Sequence, residues 1–339
     1  MSQANSLGSQ RSSTTLKNKL PAIGIDLGGT KLSAAAIVDF KVVSEARTVP
    51  TPQGPDKIVA ALVSLIESFQ REYVVAGVGI ATAGIVNCDT GEVIGSTGNL
   101  PGWSGTPLKQ LIESKTMLPV FVDNDANAAA YGDALAMGLT DATCVIGVTL
   151  GTGIGTGIVI HGKPYRGSNW GAGECGHIRI NLENKRLCTC GKYDCWEAYG
   201  AGRGLVATTH DLLAQAGAKD SVLSENAQGL NSHLITSAAA GGDKLAKEAV
   251  NLYHQHVSIG LANLANCLAP EYFILSGGMS KVVDVQLLGE MVRERALPRN
   301  ADKLQVVKSS LGDFAGIVGA AQCALDGIAP GTTLNTGTG

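Results

Sequence analysis

Two stretches of the chain share one hydrophobic pattern. Residues 22–38 (AIGIDLGGTKLSAAAIV) and 145–160 (VIGVTLGTGIGTGIVI) each run apolar, break at a glycine cluster and run apolar again. Such a pattern predicts two strands joined by a tight turn. Gly24-Ile25-Asp26-Leu27-Gly28 matches Gly147-Val148-Thr149-Leu150-Gly151. A repeat at about 120 residues is too long for a solenoid and predicts two related domains facing each other, with one hairpin on each wall of a cleft. Residues 41–46 read as a third strand, 56–70 as an amphipathic helix and 74–80 (VVAGVGI) as a buried strand. Apolar positions 120–122 run as a strand straight into an alanine-rich helix. Further on, apolar spacing predicts helices over 205–216 and 244–268, a strand in YFILSGG and a closing small-residue helix over 315–325. Residues 1–21 and 329–339 lack any such pattern and predict flexible ends.

Composition narrows the class of function. The 339 residues are 45% hydrophobic with 44 glycines, enough for one large or two ordinary α/β domains. Net charge is −3 with lysine and arginine scattered, so no electrostatic footprint for nucleic acid or an anionic membrane is expected. The polar start has no apolar signal core and no apolar run reaches the ~18 residues of a spanning helix, which predicts a cytoplasmic protein. Of eight cysteines, Cys88, Cys144, Cys175, Cys267 and Cys323 stand in apolar contexts as expected core residues, while Cys188, Cys190 and Cys195 cluster.

Three features carry chemistry. The glycine turns, with Thr30, Thr149 and Thr152, suit a phosphate cradle: glycine permits positive φ and leaves backbone N–H groups free to converge on an anion, although an ordinary hairpin turn needs the same residues. Gly277-Gly278 is a third candidate nucleotide contact. Neither turn has P-loop or dinucleotide-fold spacing. Asp123, Asn124 and Asp125 sit where a strand ends and a helix begins, the edge at which open α/β sheets bind ligands. One of them suffices as an N-cap, so another is available to accept a hydroxyl proton. Finally, His177, Cys188, Cys190 and Cys195 give H-x10-C-x-C-x4-C, which matches a closed, structural Cys3His zinc site, with a disulfide or free thiols as the alternatives. Glu174 and Glu197 bracket this cluster, either held to accept paired hydrogen bonds from vicinal hydroxyls or solvated as surface acids.

The order of DLGGTK, NLPGW, DNDANAAAYG, LGTGIGTG, GECGH and CTCGKYDCWE resembles the ROK family of sugar kinases and sugar-responsive repressors from about residue 22 to 325, and GNLPGWSGTPL resembles its glucokinase branch. The resemblance implies an actin-like ATPase (ribonuclease H-like) fold of two α/β domains around a cleft. The implied small domain comprises 22–124 plus 313–328, and the large one 125–312 with a zinc loop at 174–197. It implies ATP-dependent phosphorylation of a hexose 6-hydroxyl, glucose foremost, with Asp125 as base and Asn99, Asn124, Asp125, Glu174, His177 and Glu197 on the sugar. Asp26 would lie near Mg2+, Gly28, Gly29, Thr30 and Lys31 near the transferred phosphate, and Gly151, Thr152 and Gly153 along the nucleotide phosphates. His177 would serve both zinc and sugar, and the protein would form a homodimer or homotetramer. N-acetylmannosamine, N-acetylglucosamine, fructose or mannose kinases would share these motifs. A sugar-responsive regulator is the other alternative, disfavoured because only about twenty polar residues precede the first strand. Asp194 stands where family members place glycine; aspartate tolerates left-handed backbone better than most residues.

Overall fold

In the computed structural model, which describes residues 20–95, 100–215 and 220–328, the first repeat folds as a hairpin. Strands β1 (Ala22–Leu27) and β2 (Lys31–Val38) pair antiparallel with Asp26 opposite Ser33. The third strand expected across 41–46 is two pieces, β3 (Lys41–Val42) and β4 (Arg47–Pro50), both on the outer edge of β2. Ser44 breaks the run: its Oγ accepts the Ala36 N–H at 2.9 Å, replacing a ladder bond. Helix α1 (Pro55–Gln70) buries Ile58, Val59, Leu62, Leu65, Ile66 and Phe69, the one-sided stripe its period predicts. Strand β5 (Val78–Thr82) starts later than the apolar run, with Val74 left 65% exposed. After the small hairpin β6 (Ile85–Asn87) and β7 (Glu92–Gly95) come α2 (Leu108–Thr116) and β8 (Val120–Asn124). Strands β1, β5 and β8 are parallel, in the register Asp26, Ala81, Asp123.

The chain forms two compact units, one of the described residues through Ala128 with those from Gly316 onward, the other Ala129–Ala315. Helix α3 (Asp125–Ala136) carries the first passage between them. In the second unit β9 (Cys144–Leu150) and β10 (Ile154–Ile160) repeat the hairpin, β11 (Lys163–Tyr165) extends it, and a 3-10 turn at Cys175–His177 opens the cysteine loop. Helices α4 (Glu197–Gly200), α5 (Gly202–Gln215), α6 (Ser232–Ala240) and α7 (Lys244–Leu268) follow. Next come β12 (Tyr272–Ser276), α8 (Val285–Arg295), α9 (Pro298–Ala301) and β13 (Gln305–Lys308). The sheet order is β11-β10-β9-β12-β13, with β12 parallel to both β9 and β13. Each unit thus has an antiparallel hairpin whose first strand begins a run of three parallel strands.

The last helix of the described residues, α10 (Ala315–Gly327), returns to the first unit. There its backbone lies so close that a Cβ on Gly24 would stand 1.9 Å from the Ile317 carbonyl oxygen, and one on Gly79 1.8 Å from that of Ala320. The matching glycine of the second repeat, Gly147, admits Ala130 of α3: a Cβ there would lie 2.6 Å from the alanine methyl. The repeated glycine before each acid or threonine is therefore a helix-seating notch.

Among the scattered cysteines Cys144 is buried and Cys88, Cys175 and Cys323 are half-buried, but Cys267 is exposed on α7 rather than in the core, and none of the eight is in a disulfide. Among the described residues no helix is long and apolar enough to cross a membrane. The expected flexible ends at 1–19 and 329–339 lie outside the described residues.

Candidate active site

The three polar residues that close β8 divide their work. Asn124 is the cap: its Oδ1 accepts the N–H of Ala126 at 2.9 Å and of Asn127 at 3.1 Å, and its Nδ2 donates to the Gly84 carbonyl at 2.9 Å. Asp123 is 3% exposed and faces inward, where its Oδ1 accepts the Asn124 N–H at 2.8 Å, Asn127 Nδ2 at 3.4 Å and the Cys88 thiol at 3.4 Å. Asp125 is the half-buried acid at the helix start, and its Oδ1 accepts the Ala126 N–H at 2.8 Å. Burial pushes its carboxyl above the ordinary range, with the Asp123 charge adding to the effect and the Ala126 N–H opposing it. Asp26 sits at the matching end of β1, next to the start of α10: a Cβ on Gly316 would lie 3.5 Å from its carboxyl carbon. Asn99 lies outside the described residues.

Both glycine turns exist, but not for the conformational reason expected. Gly28, Gly29, Gly151 and Gly153 have no positive φ; of the predicted nucleotide glycines with this geometry only Gly277 is found, at +81°. Gly153 is needed for its missing side chain, since a Cβ there would run into Glu197. In the first unit Gly28 N–H donates to the Lys31 carbonyl at 3.0 Å, and Thr51, which sequence reading passed over, braces the turn by donating its hydroxyl to the Gly28 carbonyl at 2.7 Å. Thr30 and Lys31 are exposed beside it.

In the second unit the Gly151 N–H donates to the Gly153 carbonyl, and the Gly151 carbonyl accepts the N–H of Gly202, the first residue of α5, at 2.9 Å. The Gly277 turn packs on Leu150, whose carbonyl oxygen would lie 2.5 Å from a Cβ. Two glycine turns and a helix N-terminus thus share one strand edge, and Cβ atoms at Gly151 or Gly278 would meet nothing within 4 Å, so the backbone there is open to a ligand. Thr152 is exposed at the tip. The glycine-rich YGAGRG ahead of α5 was the available signal for the third member.

The cysteine loop gathers its four predicted ligands. One ligand atom from each of His177, Cys188, Cys190 and Cys195 lies within 4.8 Å of all the others. Cys188 Sγ is 3.6 Å from His177 Nδ1, and Cys190 Sγ is 3.6 Å from Cys195 Sγ. A tetrahedron with metal–sulfur bonds of about 2.3 Å has edges of about 3.7 Å, so the donor set fits a zinc ion. Since Nδ1 faces the cluster, Nε2 points away, 3.8 Å from the exposed Glu174.

Glu197 joins the cysteine loop to its neighbours. It is 8% exposed, and its Oε2 accepts the Ile154 N–H at 3.0 Å while Oε1 accepts Thr189 Oγ1 at 2.9 Å and the Arg203 guanidinium at 2.5 Å. A Cβ on Gly153 would stand 2.4 Å from Oε2, which is why that turn position is glycine. The carboxylate therefore ties the β9–β10 turn to the cysteine loop and to α5.

Asp194 has φ +61° and no exposed surface. Its Oδ1 accepts the Lys185 N–H at 3.1 Å, the Arg186 N–H at 2.9 Å and the Tyr199 hydroxyl at 2.7 Å. The left-handed backbone expected at this departure from glycine is what the loop adopts.

Comparison with known proteins resolves what this arrangement belongs to. A model of the ROK family matches residues 22–326. The chain belongs to the ROK family. This ROK protein is 35% identical over 309 residues to a glucokinase of Streptomyces coelicolor, covering 89% of the chain and 96% of that relative. It is 32% identical over 311 residues to an N-acetyl-D-glucosamine kinase of Pectobacterium atrosepticum, with 88% and 97% covered. Its fold is that of the crystal structure of a ROK family glucokinase from Streptomyces griseus in complex with glucose and AMPPNP, at a TM-score of 0.74 and 34% identity, covering 91% of this chain and all of that one. The expected actin-like ATPase fold of two α/β units is thereby established for the ROK chain.

Proposed function

We propose that the protein is an ATP-dependent hexose 6-kinase whose acceptor is glucose. The observation that carries the reading is the partition at the end of β8: one capping amide, one buried carboxylate held by donors, and one acid, Asp125, whose proton affinity burial raises. Glucokinase relatives at 32–35% identity support the substrate class.

In this reading Asp125 orients the sugar 6-hydroxyl and takes its proton as the oxygen attacks. A raised carboxyl is, once ionised, a better base than an ordinary aspartate. Phosphoryl transfer asks mainly for positioning and charge stabilisation, so the base aligns more than it drives. Mg-ATP supplies the phosphoryl group; Asp26, Gly28, Gly29, Thr30 and Lys31 would hold its transferred end, and Gly151, Thr152, Gly153, Gly277 and Gly278 the remaining phosphates. Glu174, the outward Nε2 of His177 and the remaining amide hydrogen of Asn124 would bind sugar hydroxyls, together with Asn99. Zinc on His177 Nδ1 and the three thiolates is structural, since four protein ligands leave no place for water. Glu197, in this account, supports the sugar loop from behind rather than touching sugar.

A coupled ADP-release assay across glucose, mannose, fructose and the two N-acetylhexosamines tests the proposal. Glucose is expected to give the highest kcat/KM. A preference for N-acetylglucosamine would move the protein to the other branch of its relatives, and no turnover with any hexose would end the kinase reading.

A further inference from the structure

We propose that Asp194 is a positioning residue that holds the cysteine loop in its metal-ready shape, slows metal loss, and through the loop holds His177 in place for the sugar. The sugar clause rests on the hexose-kinase reading; the metal clause does not.

The segments that bear the ligands all meet at this residue. Asp194 N–H donates to the Arg186 carbonyl at 2.8 Å, and its own carbonyl accepts the Ile180 N–H at 3.0 Å, so its backbone lies between the stretch that follows His177 and the arm that leads to Cys188. Its side chain repeats the tie, taking the Lys185 and Arg186 N–H groups on Oδ1. Cys195 is the next residue. The third donor on Oδ1, the Tyr199 hydroxyl, comes from α4 and in turn accepts Asn181 Nδ2 at 3.1 Å.

Arg186 closes the frame: its guanidinium stacks 4.4 Å over the Tyr199 ring and donates to Thr208 Oγ1 at 3.0 Å and Asp211 Oδ2 at 2.8 Å on α5. Among the described residues Oδ2 of Asp194 has no hydrogen-bond partner, and the Arg179 guanidinium lies 3.8 Å from it. A glycine would accept φ +61° at no cost but would leave two main-chain donors and a buried hydroxyl without their acceptor.

Because every hydrogen bond lands on one oxygen, asparagine, which also tolerates left-handed backbone, can replace the acid, whereas glycine cannot. The test uses the zinc-loaded full-length protein, challenged with a chromogenic chelator. Outer partners of metal ligands are typically worth 10- to 100-fold in metal affinity. Asp194→Gly is expected to release zinc about 10- to 100-fold faster than wild type, Asp194→Asn within about threefold of it, and Tyr199→Phe in between.

Equal release by Asp194→Gly and wild type, or release by Asp194→Asn as fast as by Asp194→Gly, overturns the inference. Should Asp194→Gly not fold, Tyr199→Phe releasing zinc at the wild-type rate does the same. At saturating zinc, the hexose KM of Asp194→Gly is expected to rise about tenfold with kcat within about threefold, a split that a general loss of stability does not produce. An unchanged KM overturns the sugar clause. If wild type phosphorylates no hexose, the kinase reading falls and the release rates still decide the strut.

Discussion

Replacing Glu197 by alanine separates the two roles open to an acid beside a metal cluster. In the structure its carboxylate satisfies the Ile154 N–H, Thr189 and Arg203. Alanine leaves a buried main-chain donor unpaired, which costs roughly 1–3 kcal/mol, and removes the hydroxyl's partner for about 1 kcal/mol more. Arg203, with 31% of its side chain exposed, loses its counter-charge, worth about 1 kcal/mol once solvent screening is allowed for. The loss is therefore roughly 3–5 kcal/mol, and at about 2–4 °C per kcal/mol for a body of this size the melting temperature should fall by about 10 °C. Glu197→Gln, which keeps one acceptor oxygen, should lose about half as much. Thermal unfolding at fixed protein concentration with zinc in excess reads the change, and calorimetric titration reads hexose affinity alongside. A melting temperature within about 2 °C of wild type, combined with lost hexose binding, would refute the supporting role and make Glu197 a sugar ligand.

Asp125→Asn should lower kcat by about 10²- to 10⁴-fold while hexose affinity, read by titration, falls much less; turnover kept near wild type would remove Asp125 from the chemistry. Because the base must be ionised and its folded pKa is raised, kcat/KM should be full above that pKa and fall as pH drops through it. The same shift means that ionised Asp125 disfavours the fold above the ordinary carboxylate range, so Asp125→Asn should melt no lower than wild type at neutral pH. Gly24→Ala or Gly79→Ala should lower the unfolding free energy, read by urea titration, by about 1–3 kcal/mol or more, since the obstructing atoms are main-chain carbonyls of α10 that no rotamer change can move. Elemental analysis should find one zinc per chain, and chelation should lower the melting temperature; zinc-free protein purified without chelator and folded normally would contradict both.

What the sequence disclosed and what it hid follow from the range of the interactions involved. The hairpins and the gathering of His177 with Cys188, Cys190 and Cys195 were legible because turn chemistry and donor spacing act over short stretches of chain. The break after Val42 was not, because it depends on one serine hydroxyl, that of Ser44, taking the ladder donor of Ala36. Helices α6 and α8 carried readable caps in Asn231 and Asp284, whose side chains accept from Leu234 and from Gln286 and Leu287, yet the sequence reading passed over both. Spacing shows that Glu197 stands beside the cluster but not that its partners are Ile154 and Arg203, which come from a strand and a helix that only folding brings to it. The turn glycines misled: positive φ was expected of them, but of the predicted set it occurs at Gly277, while Gly153 is needed for the space it leaves to Glu197.

The return of α10 to the first unit has a consequence for synthesis. The notches at Gly24 and Gly79 emerge from the ribosome early, but the residues that fill them, Ile317 and Ala320, are translated about 240 to 290 residues later. At about 5–20 residues per second the nascent first unit waits roughly 10 to 60 s with one sheet face uncovered, while Ala129–Ala315 is being made. A chain released before Gly316 would keep that face exposed permanently.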